Sequence, residues 1–187
     1  MTSASLTLPD QSLRELVASQ LPQSLLRTPL DYLLAEHMRL RAVCSLLRYA
    51  AEVGQIDTDC ARLVTRFVKS ALPLHREDEE KDLFPELLRS ARSVDELGGT
   101  IRNLEADHRQ MERMQAQIVE ALACDPDIQN ILLSPIASEL LRGFAEAERR
   151  HVAIENGIVL AIARARIGSK GLGEISEAMS ARRSVSG

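Results

Sequence analysis

Apolar residues recur every three or four positions along four long segments of this 187-residue chain. This periodicity is typical of amphipathic α-helices. Runs that alternate apolar and polar residues between turn residues, which would indicate β-strands, are scarce. Each predicted helix has one apolar face, and the four helices must bury these faces against one another. The sequence therefore predicts an all-α protein built as an antiparallel up-down four-helix bundle.

Turn and capping residues mark the ends of the predicted helices. Pro29 suits a helix start, because proline lacks the amide that would be left unpaired there, and Gly54 suits a helix stop. Pro73 and Pro85 lie inside the second helix and should bend or interrupt it. Two starts remain open for the fourth helix, near Asp127 or at Ser134-Pro135.

The same signals divide the chain into three regions. We expect an N-terminal extension over residues 1–27, with one short helix near residues 12–21. The bundle should occupy residues 28–167. Residues 168–187 are rich in Gly, Ser and Arg and are expected to form a loose C-terminal tail.

Composition excludes several classes of protein. The chain is 45% hydrophobic and 27% charged, unlike a disordered chain, and its net charge of -4 gives it no general attraction to nucleic acid or anionic lipid. No apolar run is long enough to span a membrane, and the N-terminus lacks the pattern of a secretory signal. The three cysteines form no CxxC pair, which argues against a disulfide framework and favours a reducing cytoplasm.

The four histidines lie on the apolar stripes of four different predicted helices. They are His37, His75, His108 and His151. The predicted loops fall near residues 56, 92 and 130, which are the midpoints between successive histidines. In an up-down bundle the chain returns to the same height after crossing such a midpoint. The four imidazoles should therefore meet at one level inside the bundle.

Glutamates follow three of these histidines at a spacing of four residues, which places both side chains on one helix face. The pairs are His75–Glu79, His108–Glu112 and His151–Glu155, whereas His37 is followed by Arg41. Imidazoles and carboxylates gathered in an apolar interior would destabilise the fold if they stayed unpartnered. A pair of divalent or trivalent cations would satisfy all of them, because imidazole suits iron and zinc and a carboxylate can bridge two ions.

Local sequence around these residues extends the pattern. The stretch from His75 to Leu87 reads HREDEEKDLFPEL, the fourth helix carries HVAIE from His151 to Glu155, and the tail contains Met179, Arg182 and Arg183. With His37 and the EADHRQM segment around His108, this order resembles the hemerythrin family in its bacterial HHE cation-binding branch. The resemblance covers about residues 28–183.

The resemblance implies a non-haem di-iron centre with an oxo or hydroxo bridge, with manganese or zinc as alternative metals. The implied ligands are His37, His75, Glu79, His108, His151 and Glu155, with Glu112 as a further candidate in or beside the coordination shell. Oxygen-carrying hemerythrins have a second histidine where this chain has Glu112. The set of four histidines and two glutamates is instead similar to the di-iron centre of the repair of iron centres proteins.

Several functions remain open from the sequence. The first is binding or sensing of a small ligand, such as O₂, NO or peroxide, in stress or iron handling. A second is a di-iron oxidoreductase that consumes NO or peroxide, and a third is a structural bundle with zinc or no metal. Whether substrate is turned over stays undecided. We expect a cytoplasmic monomer or homodimer without nucleic-acid or membrane partners.

A ferritin-like carboxylate site is a further alternative. It would use Glu105 and Glu148, which lie three residues before His108 and His151. The simpler expectation for both glutamates is an exposed helix charge. The same applies to a group of four acids in the second helix, which we expect to form a solvated face: Glu77, Asp78, Glu80 and Asp82.

Overall fold

The computed structural model describes residues 11–123, 125 and 127–185, and its backbone is almost entirely helical. The helices are α1 (Gln11–Ala18), α2 (Pro29–Val53), α3 (Thr58–Arg66), α4 (Leu72–Glu77), α5 (Phe84–Ser90), α6 (Leu97–Ala121), α7 (Pro135–Ile154), α8 (Leu160–Arg166) and α9 (Ser169–Val185). Short 3₁₀ turns occupy Gln23–Arg27 and Ser93–Asp95, and two strands are β1 (Gln55–Asp57) and β2 (Asn130–Leu132).

The four predicted long segments form the antiparallel bundle. The first bundle helix is α2 and the third is α6. The second runs through α3, α4 and α5, and the fourth through α7 and α8. Within the second and fourth bundle helices, π-helical turns rather than loops join the α-helical segments. Each of these two bundle helices is therefore one continuous rod. The short helix expected near residues 12–21 is α1, which packs on α2 and α3.

The ends of α2 follow the predicted signals. Pro29 occupies the first helical position, and Gly54 ends the helix with a φ of 75°, in the left-handed region that glycine adopts without strain. Thr28 precedes the helix but does not cap it through its side chain, because its hydroxyl donates to the carbonyl of Leu25 instead.

Two π-helical turns interrupt the second bundle helix, at Phe67–Ala71 and Asp78–Leu83. Each is followed at once by an α-helix that has proline in its first turn, Pro73 in α4 and Pro85 in α5. A proline in a regular helix removes a hydrogen bond and its ring collides with the carbonyl four residues earlier. A wider turn just before it relieves that collision, so the helix continues past each proline.

Two caps and a short strand pair organise the end of the bundle that lies away from α9. Asp57 caps α3 by accepting from the amide of Cys60, and Ser134 caps α7 by accepting from the amide of Ala137. The second cap decides that the fourth helix begins at Pro135 rather than near Asp127. Between the caps, β1 and β2 pair antiparallel with Ile56 opposite Ile131. The sequence did not predict this pairing.

The apolar core consists of two clusters of buried side chains, one toward each end of the bundle. One includes Val43, Val64, Ile118 and Phe144, and the other includes Leu33, Phe84, Leu104, Val159 and Met179. Along the first three bundle helices the predicted histidine falls between the residues of the two clusters, and along the fourth His151 lies at the boundary, beside Val152. A polar layer therefore divides the core at one level. No helix in the described part of the chain is both long and apolar enough to cross a membrane.

The expectation of a loose C-terminal tail is wrong. Residues Ser169–Val185 form α9, which packs against the 3₁₀ turn at Gln23–Arg27 and the π-helical turn at Asp78–Leu83. Ile175 and Met179 are buried in the second core cluster. Glycine and serine lower helix propensity only modestly, and burial of these two apolar side chains outweighs that cost.

Candidate metal centre

The four histidine rings meet in the polar layer, one from each bundle helix, as the spacing predicted. The ring centroids of His37 and His75 are 4.9 Å apart, and those of His108 and His151 are 4.5 Å apart. All four residues are at most 4% exposed. The imidazoles therefore form two pairs inside the bundle, the first from α2 and α4 and the second from α6 and α7.

The carboxylates of Glu79 and Glu155 lie between the two histidine pairs. Glu79 Oε1 is 3.4 Å from His37 Nε2 and 3.5 Å from His75 Nε2, while its Oε2 is 3.5 Å from His108 Nε2. Glu155 Oε2 is 3.3 Å from His37 Nε2, and its Oε1 is 2.9 Å from His151 Nε2. Each carboxylate thus presents one oxygen to each histidine pair.

These six side chains form two overlapping groups of possible metal ligands. One group is His37, His75, Glu79 and Glu155, and the other is Glu79, His108, His151 and Glu155. Within each group the ligand atoms lie within 4.8 Å of one another. Both groups share the two glutamates, which is the arrangement of a binuclear site with bridging carboxylates.

Both shared glutamates belong to π-helical turns. Glu79 is in the turn Asp78–Leu83, and Glu155 begins the turn Glu155–Val159. A π turn holds one more residue than an α turn and shifts the following side chains around the helix axis. Both glutamates stand near the start of their turns and are fully buried, one helical turn after the histidines four residues before them.

The outward ring nitrogens of the four histidines face oxygen atoms. His37 Nδ1 donates to Asn156 Oδ1 at 2.7 Å, and His108 Nδ1 donates to Glu80 Oε1 at 2.7 Å. His75 Nδ1 is 3.6 Å from Glu36, and His151 Nδ1 is 3.6 Å from Asp107. An acceptor at Nδ1 keeps the proton there and leaves Nε2 free as a metal ligand.

The buried side chains of the cluster shift one another's pKa values. Burial, reinforced by the charge of Glu155, raises the pKa of Glu79 to about 8. Burial and the neighbouring His151 lower the pKa of His108 to about 3. Burial opposes the charge on His151 as well, but the attraction of Glu155 prevails and raises its pKa to about 9. The buried charges of these groups therefore act strongly on one another, and nearby cations would favour the ionised carboxylates.

Unpartnered atoms test whether the site fits metal ions. Among the residues that the structure describes, both oxygens of Glu79 and of Glu155 are buried without a hydrogen-bond partner, and so is His37 Nε2. The short approach of His151 Nε2 to Glu155 is an ion-pair contact and lacks hydrogen-bond alignment. Buried carboxylate oxygens without partners cost several kcal/mol in an apolar interior. The donor set therefore fits a pair of cations.

Glu112 is not part of the cluster. Its side chain is exposed, and neither ligand group in the described part of the chain includes it. Glu80 is exposed, as expected for a solvated acidic face, and its carboxylate also contacts His108. Glu112 lies one helical turn after His108 on α6. The carboxylate that contacts His108 Nδ1 is instead Glu80, which comes from the second bundle helix.

The other acids also depart from their predicted positions. Glu148 is 1% exposed, not solvated, and accepts a hydrogen bond from Arg76, which also donates to Gln115. Glu105 is half-buried. Neither belongs to a ligand group of the described residues, so the two groups do not have the ligand set of a ferritin-like site.

Sequence reasoning missed Glu36, Asp107 and Asn156. Glu36 and Asp107 each precede a site histidine, and Asn156 follows Glu155. Each contacts a histidine of another helix, so its role depends on how the helices pack together. Asp78 was also misplaced, since it is fully buried rather than solvated.

A four-helix bundle with a buried binuclear His/Glu site defines a class of metal-binding helical proteins. The sequence matches the model of the hemerythrin HHE cation binding domain over residues 28–163, and the chain belongs to this family. It is also similar to an uncharacterized protein of Haemophilus influenzae (strain ATCC 51907 / DSM 11121 / KW20 / Rd). The two are 27% identical over 168 residues, an alignment that covers 84% of this chain and 91% of the relative.

Proposed function

We propose that this protein is a non-haem di-iron protein that binds or senses a small ligand, O₂, NO or peroxide, in stress or iron handling. The observation that carries the proposal is the pair of glutamates shared by two histidine pairs, with all four carboxylate oxygens lacking partners. Imidazole and carboxylate together suit iron, while manganese and zinc remain alternatives for the same donors.

The number of ligands supports binding rather than a purely structural metal. Two imidazoles and one oxygen from each glutamate offer four ligands to each ion. Iron commonly takes six ligands, so positions remain for an exogenous group. When bound, the irons would supply an open position and redox chemistry, while hydrogen bonds to the outward nitrogens of His37 and His108 hold those two imidazoles.

A cavity at His108 offers a path for a small ligand. It has a volume of about 220 Å³ and opens between the second and third bundle helices. The buried His108 lines this cavity together with three exposed residues, Glu80, Arg109 and Glu112. Because His108 belongs to one ligand group, a diatomic molecule in this cavity would lie next to the site.

Metal content together with an optical spectrum tests the proposal. Protein from iron-supplemented cells should contain about two irons per chain, and its oxidised spectrum should change on addition of azide or NO. Less than one metal per chain would refute the two-ion site. Glu79→Gln is the matched variant, because it keeps the size of the side chain and should bind less iron.

The same preparation separates ligand binding from catalysis. A spectral change without consumption of NO or peroxide in the presence of a reductant supports a binding or sensing role. Sustained consumption would instead support the oxidoreductase alternative. We propose that the protein is a monomer or homodimer. We also propose a cytoplasmic location, because Cys44 and Cys60 are free thiols. Cys124 lies outside the described residues.

A further inference from the structure

Asp78 is a fully buried carboxylate beside the site residue Glu79, and two arginines of α9 contact it. Arg183 Nη2 donates to Asp78 Oδ2 at 2.5 Å, and Arg182 donates to Asp78 Oδ1. Burial raises the pKa of Asp78, although both guanidiniums act in the opposite direction. Among the described residues, the cations that contact Asp78 are therefore these two arginines of α9.

Each arginine also has a second anchor. The guanidinium of Arg183 lies 4.6 Å from the ring centroid of Tyr32 and donates to the Tyr32 hydroxyl at 3.0 Å, which ties α9 to α2. Arg182 donates to Asp82 at 2.7 Å and lies 3.3 Å from Glu77. The acids bound by Arg182 and Arg183 lie on both sides of Glu79 in the sequence.

The contacts with Arg182 and Arg183 fall in the helical turn that carries Glu79. Asp78 and Asp82 belong to the same π-helical turn as Glu79. A π turn is a local departure from the regular helix, so contacts with its surroundings help to hold it in addition to the effect of Pro85. On its inner side this turn presents Glu79 to the histidines, and on its outer side it is held by α9.

We propose that α9 is a positioning element of the metal centre, with Arg182 and Arg183 holding the π-helical turn so that Glu79 stays between the two histidine pairs. The proposal rests on the two-metal function proposed above. Neither arginine touches the site itself. Their effect passes through Asp78 and the backbone of the turn, much as outer groups orient the ligands of other metal sites.

Cobalt loss from the full-length protein tests this role. Wild type and Arg182→Gln/Arg183→Gln would be loaded with Co²⁺ and mixed with excess EDTA, and the visible cobalt bands followed with time. We expect cobalt loss to be about 10–100-fold faster in the double variant. Arg183→Lys keeps the charge without the paired hydrogen bonds and should give an intermediate rate.

Two controls separate positioning from general stability. Arg164→Gln removes an exposed ion pair with Asp31 and should leave the rate unchanged. Val64→Ala creates a cavity in the core far from α9 and lowers stability without touching the turn. Each protein would be assayed at the same interval below its own melting temperature. Equal cobalt loss from Val64→Ala and the double variant would overturn the proposal.

The single variant Arg182→Gln keeps Arg183 on Asp78 and serves if the double variant does not fold. It should lose cobalt faster than Arg164→Gln, and an unchanged rate would count against the proposal. The outcomes also distinguish the two inferences. Wild type that binds fewer than two cobalt ions refutes the two-metal function, whereas normal binding with unchanged rates in the variants refutes only the role of α9.

Discussion

Glu79 and Glu155 lie together at the centre of the bundle, and each carboxylate divides its two oxygens between the same two histidine pairs. They come from the second and fourth bundle helices and both belong to π-helical turns. This arrangement makes the site two halves joined by two shared carboxylates. The halves differ in their histidines, and variants can therefore address them separately.

Removal of a histidine from one half should cost one metal ion. In His75→Ala the first half keeps only His37 and the two glutamates, while the second half keeps all four of its ligands. We expect bound zinc to fall from about two ions to about one per chain, measured by elemental analysis after dialysis. His75→Ala/His108→Ala should bind almost none. Two tightly held ions in either variant would contradict the ligand assignment.

Glu80 should strengthen metal binding through His108. Its carboxylate accepts the Nδ1 proton at 2.7 Å, and removal of such an outer partner commonly weakens metal binding about 10–100-fold. We expect this loss in Glu80→Ala, which removes the acceptor, by competition with a coloured zinc chelator. Glu112→Ala is the control, since Glu112 is an equally exposed glutamate that, unlike Glu80, has no ion pair with a histidine among the described residues. Equal weakening by both variants would disprove the distinction.

A large side chain at the rim of the His108 cavity should slow ligand entry. Glu112→Trp would occupy part of the cavity, whose volume is about 220 Å³. It leaves all six residues of the two ligand groups unchanged. We expect slower azide binding to the iron-loaded protein by stopped-flow absorbance, with the final spectrum unchanged. Gln110→Trp blocks a different cavity, beside Asp107, and should have little effect. The reverse result would place the entry path between the third and fourth bundle helices.

The ion pair between Arg14 and Asp57 should make stability depend on acid pH. Burial opposes the charged form of Asp57, but the hydrogen bond from Arg14 and the amide of Cys60 prevail and lower its pKa below 3.8. Stability from this pair is therefore present above about pH 4 and is lost as pH falls through the lowered pKa.

Urea unfolding of wild type and Asp57→Asn measures this effect. The variant should be about 0.5–1 kcal/mol less stable at pH 7, a small value because the pair is partly exposed to solvent. The difference should shrink at pH 3. Asparagine still caps α3, so the loss isolates the ion pair rather than the cap. A constant difference at both pH values would show that the charge of Asp57 is not responsible.

The helices and the inner ligands were largely predictable, because both depend on short-range spacing. Apolar residues at a helical period predict the bundle, and Glu79 and Glu155 each lie one turn after a histidine on the same face. The level of the four histidines followed from the midpoints between them, since a helix has a constant rise per residue. The π-helical turns were not predicted, although the two prolines marked where the second helix departs from α geometry.

The outer partners of the imidazoles were much less accessible to sequence reasoning. Asn156 and Glu80 reach histidines on other helices, so their roles depend on how neighbouring helices are rotated and spaced. Glu112 has the right spacing from His108 but is exposed. Spacing along one helix reports which residues share a face, and it does not report how wide the buried part of that face is.

The sequence by itself determined that the chain forms four amphipathic helices with imidazoles and carboxylates at a common level, because the periodicity of a helix is a local property. The tertiary structure decided which acids are buried, which oxygens face the outward ring nitrogens, and that α9 packs beside Glu79. Those outcomes depend on contacts between different helices, from His108 with Glu80, 28 positions apart, to His37 with Asn156, 119 positions apart. Burial and charge compensation across the assembled bundle select them.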